Sequence, residues 1–203
     1  MPYSYIGNFP DQQKQNSGVF SPSDFINLKS YGEWGGSLEL IKEQSYSATT
    51  YADCTEIEED KYQTHLLVVN SFVPQNDGEG LRIRLYESGV LETGSNYLFC
   101  HKYNQSSGGH GEQNGTTETS SRFILGQGND EVGHARIYFN NFGNSTKMSS
   151  WNYHSTTYNT ISVLTTAFGG GALKKASKID GFRLYVSTGN LTLNLTLYGV
   201  KNI

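Results

Sequence analysis

The side chains able to do chemistry are few and scattered. Five histidines, His65, His101, His110, His134 and His154, stand singly along the chain. The sequence holds no Gly-x-Ser-x-Gly elbow, no His-Glu-x-x-His pair, no P-loop and no Gly-x-Gly-x-x-Gly opening a helix. His65 and His101 fall inside apolar runs, where an imidazole is expected as a hydrogen-bonded core or sheet-face residue. The acidic run Glu56, Glu58, Glu59 and Asp60, or Asn129-Asp130-Glu131, could offer oxygens to calcium, but a solvated turn explains either as well. Glycoside cleavage needs two carboxylates facing one another, and no spacing here places such a pair. The expectation is a protein that is not an enzyme, with no catalytic residue, no cofactor and no metal ligand.

Aromatic side chains are the remaining candidates. Trp151, Tyr153 and Tyr158 lie in a run of Ser, Asn and Thr from Met148 to Tyr158. Rings with a polar tip suit a carbohydrate or protein surface, and they suit ordinary strand packing equally. Their alternation stops at Ser155, so the inward face of this stretch stays open between the two readings.

Candidates of this kind need a scaffold, and the spacing of the apolar residues supplies it. Phe182, Leu184 and Val186 alternate with polar residues, Ser187 to Asn190 makes a turn, and Leu191, Leu193, Leu195 and Leu197 alternate with Thr192, Asn194 and Thr196. A period of two puts every second side chain on one side of a pleated strand. These residues predict a closing hairpin with one apolar face, which needs an opposing apolar layer. Further strands are predicted near Leu38 to Glu43, Tyr46 to Asp53, Tyr62 to Val73, Gly80 to Glu87, Ser95 to Tyr103, Ser121 to Gln127, Val132 to Asn140, Lys147 to Tyr158 and Thr160 to Ala167. Turn formers such as Asn76-Asp77-Gly78 and Ser88-Gly89 separate them. The expected fold class is all-β, a jelly-roll-like antiparallel β-sandwich. Ser106 to Ser120 is low-complexity and polar and predicts an exposed loop, a common place for binding; Phe168-Gly169-Gly170-Gly171 predicts a sharp turn or flexible connector.

Composition agrees with many short strands. Charged residues make up 17% of the 203, below the usual ~25%, whereas 14 Tyr, 10 Phe and 23 Gly are generous. The net charge of -4, with both signs interspersed, shows no basic stripe and argues against nucleic acid as a partner. Cys54 and Cys100 form no C-x-x-C and are expected as two buried free thiols. The start, Met1-Pro2-Tyr3-Ser4-Tyr5, has no leader pattern, and no apolar run reaches membrane-spanning length; a soluble chain without membrane insertion, not exported by a signal peptide, is expected.

Residues 1–37 differ from the rest and are read as an anchoring arm, with the β-sandwich domain at 38–203. The arm offers Tyr3, Tyr5, Ile6 and Phe9, then a polar stretch. Ser21-Pro22-Ser23-Asp24 is a helix start, with Ser21 as N-cap and Pro22 at the first helical position. Phe25 and Leu28 follow at helical spacing and Gly32 closes a helix too short to stand alone. Glu33 to Gly36 is a hinge with Trp34 as a docking anchor. Tyr3, Tyr5, Ile6, Phe9, Phe25, Leu28 and Trp34 are therefore the candidate partner-binding residues.

Three stretches carry a family likeness. They are Leu38 to Ser45, Tyr62 to Gly78 running into Leu81-Arg82-Ile83-Arg84-Leu85, and Ile179 to Gly189 before a closing Leu197-Tyr198-Gly199-Val200. The chain resembles a β-sandwich domain of structural proteins of tailed bacteriophages, particularly marine ones, and Tyr5 to Trp34 looks like the connector preceding such domains. The resemblance implies a virion surface protein of the head-fibre, capsid-decoration or tail-fibre-tip type. Its partners would be other virion proteins, its state a homo-oligomer such as a trimer, and its outer target a host surface glycan. No coiled-coil or collagen-like shaft is present, so a short accessory protein on capsid or tail is expected, with a receptor-binding tip or lectin-like adhesin as the alternative.

Overall fold

The computed structural model describes residues 37–123, 132–158 and 163–201. The arm residues Tyr3, Tyr5, Ile6, Phe9, Phe25, Leu28 and Trp34, the expected short helix and Asn129-Asp130-Glu131 lie outside the described residues. Among the described residues all regular structure is β, and no helix is long and apolar enough to cross a membrane.

Among the described residues thirteen strands form two sheets. They are β1 (Leu38–Thr49), β2 (Tyr51–Cys54), β3 (Thr64–Pro74), β4 (Arg82–Glu87), β5 (Val90–Leu91), β6 (Tyr97–Gln105), β7 (His110–Glu118), β8 (Ser121–Arg122), β9 (Gly133–Asn140), β10 (Met148–Tyr158), β11 (Leu164–Ala176), β12 (Ile179–Tyr185) and β13 (Leu191–Val200). The larger sheet runs β1-β13-β3-β9-β10-β11-β6-β7; the smaller runs β2-β12-β4-β5, with β8 also paired to β4. The neighbouring pairs from β13 to β7, and those of the smaller sheet, are antiparallel.

Alternation places the core. Leu67, Val69, Ile137, Phe139, Trp151, Tyr153, Leu195 and Leu197 from the larger sheet meet Ala52, Cys54, Ile83, Leu85, Phe182 and Leu184 from the smaller in one buried cluster. Phe139 and Phe182 touch across the layers, ring centroids 5.5 Å apart. Polar links cross as well. The Tyr97 hydroxyl accepts from Leu85 N–H at 2.9 Å and lies 3.0 Å from the Glu92 carbonyl, to which it donates, so a β4 amide is satisfied from the other layer.

The expected closing hairpin does not form. β12 and β13 lie in different sheets, and Ser187–Asn190 carries the chain across the sandwich rather than back along the same sheet. Paired side by side, both apolar faces would still need a cover; in opposite sheets the leucine row of β13 and Phe182 and Leu184 of β12 belong to one core. Glu79 fixes the crossing: its carboxylate accepts from Ser187 N–H, Ser187 Oγ and Thr188 Oγ1 at 2.8–2.9 Å, and Gly189 takes a positive φ of 80°.

Three more expectations are corrected. Ser106 to Ser120 is not a loop throughout, because β7 pairs along β6 after a turn in which Gly108 has φ 88°. Phe168 to Gly171 is not a connector but the middle of β11. A Cβ on Gly171 would meet the Trp151 ring and the Leu98 carbonyl, and one on Gly169 would meet Cys100 O and His101 Cβ. The glycines leave bare backbone where large rings from neighbouring strands must sit. The strand expected from Tyr46 to Asp53 is likewise divided: β1 runs through Tyr46 and ends at Thr49, after Ala48 takes a positive φ of 48°, and β2 joins the other sheet.

Substituting Gly171→Val tests this account. A β-branched residue ordinarily favours a strand, so a destabilisation of about 1–3 kcal/mol in urea unfolding is the expected result of overpacking against Trp151. An unchanged or higher midpoint would contradict it.

Candidate functional site

The structure disposes of several sequence candidates first. Trp151 and Tyr153, each 3% exposed, belong to the core and offer no ligand surface; Tyr158, at the end of β10, is 45% exposed. The interruption at Ser155 is only apparent, because Ser155 is buried too and donates from Oγ to the Phe123 carbonyl at 2.9 Å. The buried face of β10 therefore runs through a serine that has found an acceptor. The acidic run is laced by lysines: Lys61 pairs with Glu58 at 3.1 Å, and Lys178 pairs with Glu59 at 3.1 Å and Asp60 at 2.6 Å. Cys54 is buried, which pushes its thiol up to about 11, whereas Cys100 is exposed, contrary to the expectation of two buried thiols.

His65 is buried with one ring nitrogen 2.7 Å from the Ile57 carbonyl. His101 is buried between Phe99, stacked at 5.6 Å, and Tyr153, edge-on at 6.3 Å, and among the described residues neither of its nitrogens has a hydrogen-bond partner within bonding geometry. Burial lowers both imidazoles below their ordinary value. For His101, repulsion from Arg122 acts in the same direction and the nearby Gln113 amide opposes it.

A different site emerges on the smaller sheet. Four of the five arginines in the chain, Arg82, Arg84, Arg122 and Arg183, alternate with the core residues Ile83, Leu85, Phe123, Phe182 and Leu184, and so share the face turned away from the core. The ladder arranges them in rows. Tyr51, Tyr185, Arg82 and Arg122 stand opposite one another in succession, and Asp53, Arg183 and Arg84 form the next row. The net charge of -4, with both signs mixed along the sequence, conceals this separation, because the four arginines meet only when β4, β8 and β12 are neighbours.

Within the face the arginines are not equivalent. Arg183 is held by a bidentate pair with Asp53, both contacts 2.7 Å, donates to the Tyr86 hydroxyl at 2.8 Å and lies 3.8 Å over the Tyr51 ring. The Asp53 contact keeps its guanidinium firmly charged. Arg84 stacks at 4.9 Å over Tyr185 and donates to Thr119 O at 3.0 Å. Arg82 and Arg122 face one another with like charge, and neither forms an ion pair among the described residues. Among the described residues Arg82 Nε is buried without a partner, and Arg122 reaches only Gln113 Oε1 at 3.5 Å. Burial, and then the charge of Arg82, lower the pKa of Arg122.

These two arginines open onto a cleft of about 350 Å³ between the β4–β8 and β6–β7 pairs, lined also by Phe99, Gln113, Asn114, Glu118 and Ser120. The sequence did carry part of the signal, since Arg82 and Arg84 are two apart within Leu81-Arg82-Ile83-Arg84-Leu85 and must share a face. Their meeting with Arg122 and Arg183 depends on strand order, which no local pattern reveals.

No family model, curated protein or solved structure matches this chain. The reading of the site therefore rests on its own chemistry: cationic planar groups, aromatic faces and amides beside a shallow cleft suit recognition of an anionic ligand.

The buried histidines set a pH dependence. Their folded pKa values lie below the unfolded value of about 6.5, so unfolding takes up protons below that pH. The stability they allow is complete above about pH 6.5 and falls on acidification, by up to ~1.4 kcal/mol per pH unit for each histidine. Urea midpoints should drop between pH 7.5 and pH 5.5, and His65→Gln or His101→Gln should flatten the drop. Equal wild-type midpoints at both pH values would contradict this.

Proposed function

We propose that this chain is an accessory protein of a tailed-bacteriophage virion, a β-sandwich displayed on the capsid or tail surface and attached through residues 1–37. We also read its topology as a jelly roll. The virion reading rests on the resemblance of three stretches of the chain, and the observation that supports the jelly roll is the nested strand pairing. β1 neighbours β13, β2 pairs β12, β3 pairs β9 and β4 pairs β8, as in a long two-stranded ribbon folded at its middle. Rolling that ribbon brings β13 against β3 and β12 against β4, the remaining contacts that a jelly roll requires. The three stretches that resemble phage structural domains fall on β1, on β3 with the turn into β4, and on β12 with the crossing into β13. The likeness thus sits on framework strands, as it should for a family defined by architecture.

Assembly as a homo-oligomer, a trimer by the resemblance, is part of this proposal. Tyr138 and Phe168, 42% and 47% exposed on the larger sheet, give a copy-to-copy contact some apolar area. The second reading, a receptor-binding tip or lectin-like adhesin for host glycans, is favoured by the arginine and tyrosine face of the smaller sheet.

Labelling intact particles with antibody to residues 38–203 and imaging by electron microscopy should place the chain at one repeated position on the virion. A chain lacking residues 1–34 should retain its β-rich circular dichroism and be missing from purified particles. Normal incorporation of the truncated chain would overturn attachment through the arm.

A further inference from the structure

We propose that the cleft between Arg82 and Arg122 binds the carboxylate of an acidic saccharide. The inference rests on the glycan-binding reading of the domain and specifies its ligand.

Arg82 and Arg122 are paired across the β4–β8 ladder, where opposed side chains of like charge repel. Natural sheets ordinarily place a carboxylate between such groups, and Asp53 does this for Arg183 on the same face. Among the described residues no carboxylate lies within ion-pair distance of Arg82 or Arg122, Glu79 and Glu118 acting on Arg122 only from further off, and Arg82 Nε is a buried donor without an acceptor. A buried unsatisfied donor costs more than a hydrogen bond returns, so its retention points to an acceptor that arrives from outside. A carboxylate meets the requirement: its two oxygens match the planar fork of a guanidinium, and its charge relieves the repulsion.

The rest of the lining selects the remainder of the ligand. Phe99 offers a ring against which the C–H face of a sugar can pack, and Gln113 and Asn114 supply amides for hydroxyl groups. Glu112 and Glu118 also line the cleft; Glu112 is tied to Lys102 at 3.7 Å, whereas Glu118 is in no ion pair among the described residues and acts on Arg122 only from further off. A free carboxylate beside the arginines disfavours an extended polyanion such as single-stranded nucleic acid, which would bring further charge against it. Neutral hydroxyls of a saccharide can instead donate to Glu118. A volume of about 350 Å³ holds one or two sugar rings and not a long strand.

The test uses the full chain and isothermal calorimetry with four probes: oligosaccharides carrying uronate or nonulosonate carboxylates, the same oligosaccharides with the carboxyl reduced to an alcohol, sulfated oligosaccharides lacking carboxylate, and oligothymidylate. At least one acidic oligosaccharide should bind, and its reduced and sulfated counterparts should bind at least tenfold more weakly. Arg82→Gln and Arg122→Gln should each lose at least tenfold in affinity, and Arg122→Lys should recover only part of it. The melting temperature of Arg122→Gln without ligand should hold or rise, because a like-charged neighbour has been removed; this shows that its lost affinity is not lost folding. Equal binding of reduced and acidic forms, wild-type affinity in both glutamine variants, or tighter binding of sulfated oligosaccharide or oligothymidylate would overturn the proposal. Saccharides bound equally by wild type and both variants would leave the glycan-binding reading standing and remove this cleft from it. Failure of every saccharide to bind would remove both.

Discussion

Phe139 and Phe182 hold the molecule together at the point where its two sheets meet. The rings are fully buried, 5.5 Å apart, and Phe139 also stacks on Phe142 at 4.7 Å and lies edge-on to Phe123 at 6.5 Å. Neither sheet can cover its apolar face alone, so each is the other's solvent shield, and burial at roughly 25 cal/mol per Å² supplies the driving force. The rest follows from that contact. Strands must alternate, turns must cross between layers, and residues on the outer face of the smaller sheet are left free of any packing duty.

Much of this architecture was legible in the residues. The leucines of β13 and the row of Phe182 and Leu184 in β12, continued by Val186 just after it, announced strands because a period of two has no other simple use. What they could not announce was their partner. Ser187 to Asn190 has the composition of a hairpin turn, yet hydrogen bonds from Glu79, more than a hundred positions earlier, hold it as a passage between sheets. β7 was missed for a different reason: it has no apolar residue, and its pairing with β6 is carried by backbone groups, which leave no trace in side-chain type. The glycines of β11 misled because glycine is conserved in meaning only by its surroundings; here it makes room for Trp151 and His101 instead of bending the chain.

The candidate site was less legible than the fold. Exposed aromatics drew attention to Trp151 and Tyr153, which the packing swallows, while the arginines looked like the polar half of ordinary alternation. Each was that, strand by strand. Only the order β2-β12-β4, with β8 beside β4, gathers them with Tyr51, Tyr86 and Tyr185, and turns four unremarkable positions into a concentrated cationic surface on an acidic protein. Local charge is a property of neighbours in space, and the sum over the chain hides it.

β7 has a last consequence. It ends the larger sheet among the described residues, so one of its sides carries backbone groups with no described strand beyond them. Its residues, His110 to Glu118, include two glycines, Glu112 and Glu118, and nothing that could zip against an incoming strand. Such a fringe is a poor template for adding a foreign strand, which limits edge-to-edge aggregation. Association on this side is left to side chains on the sheet faces, where contact can be specific and can stop.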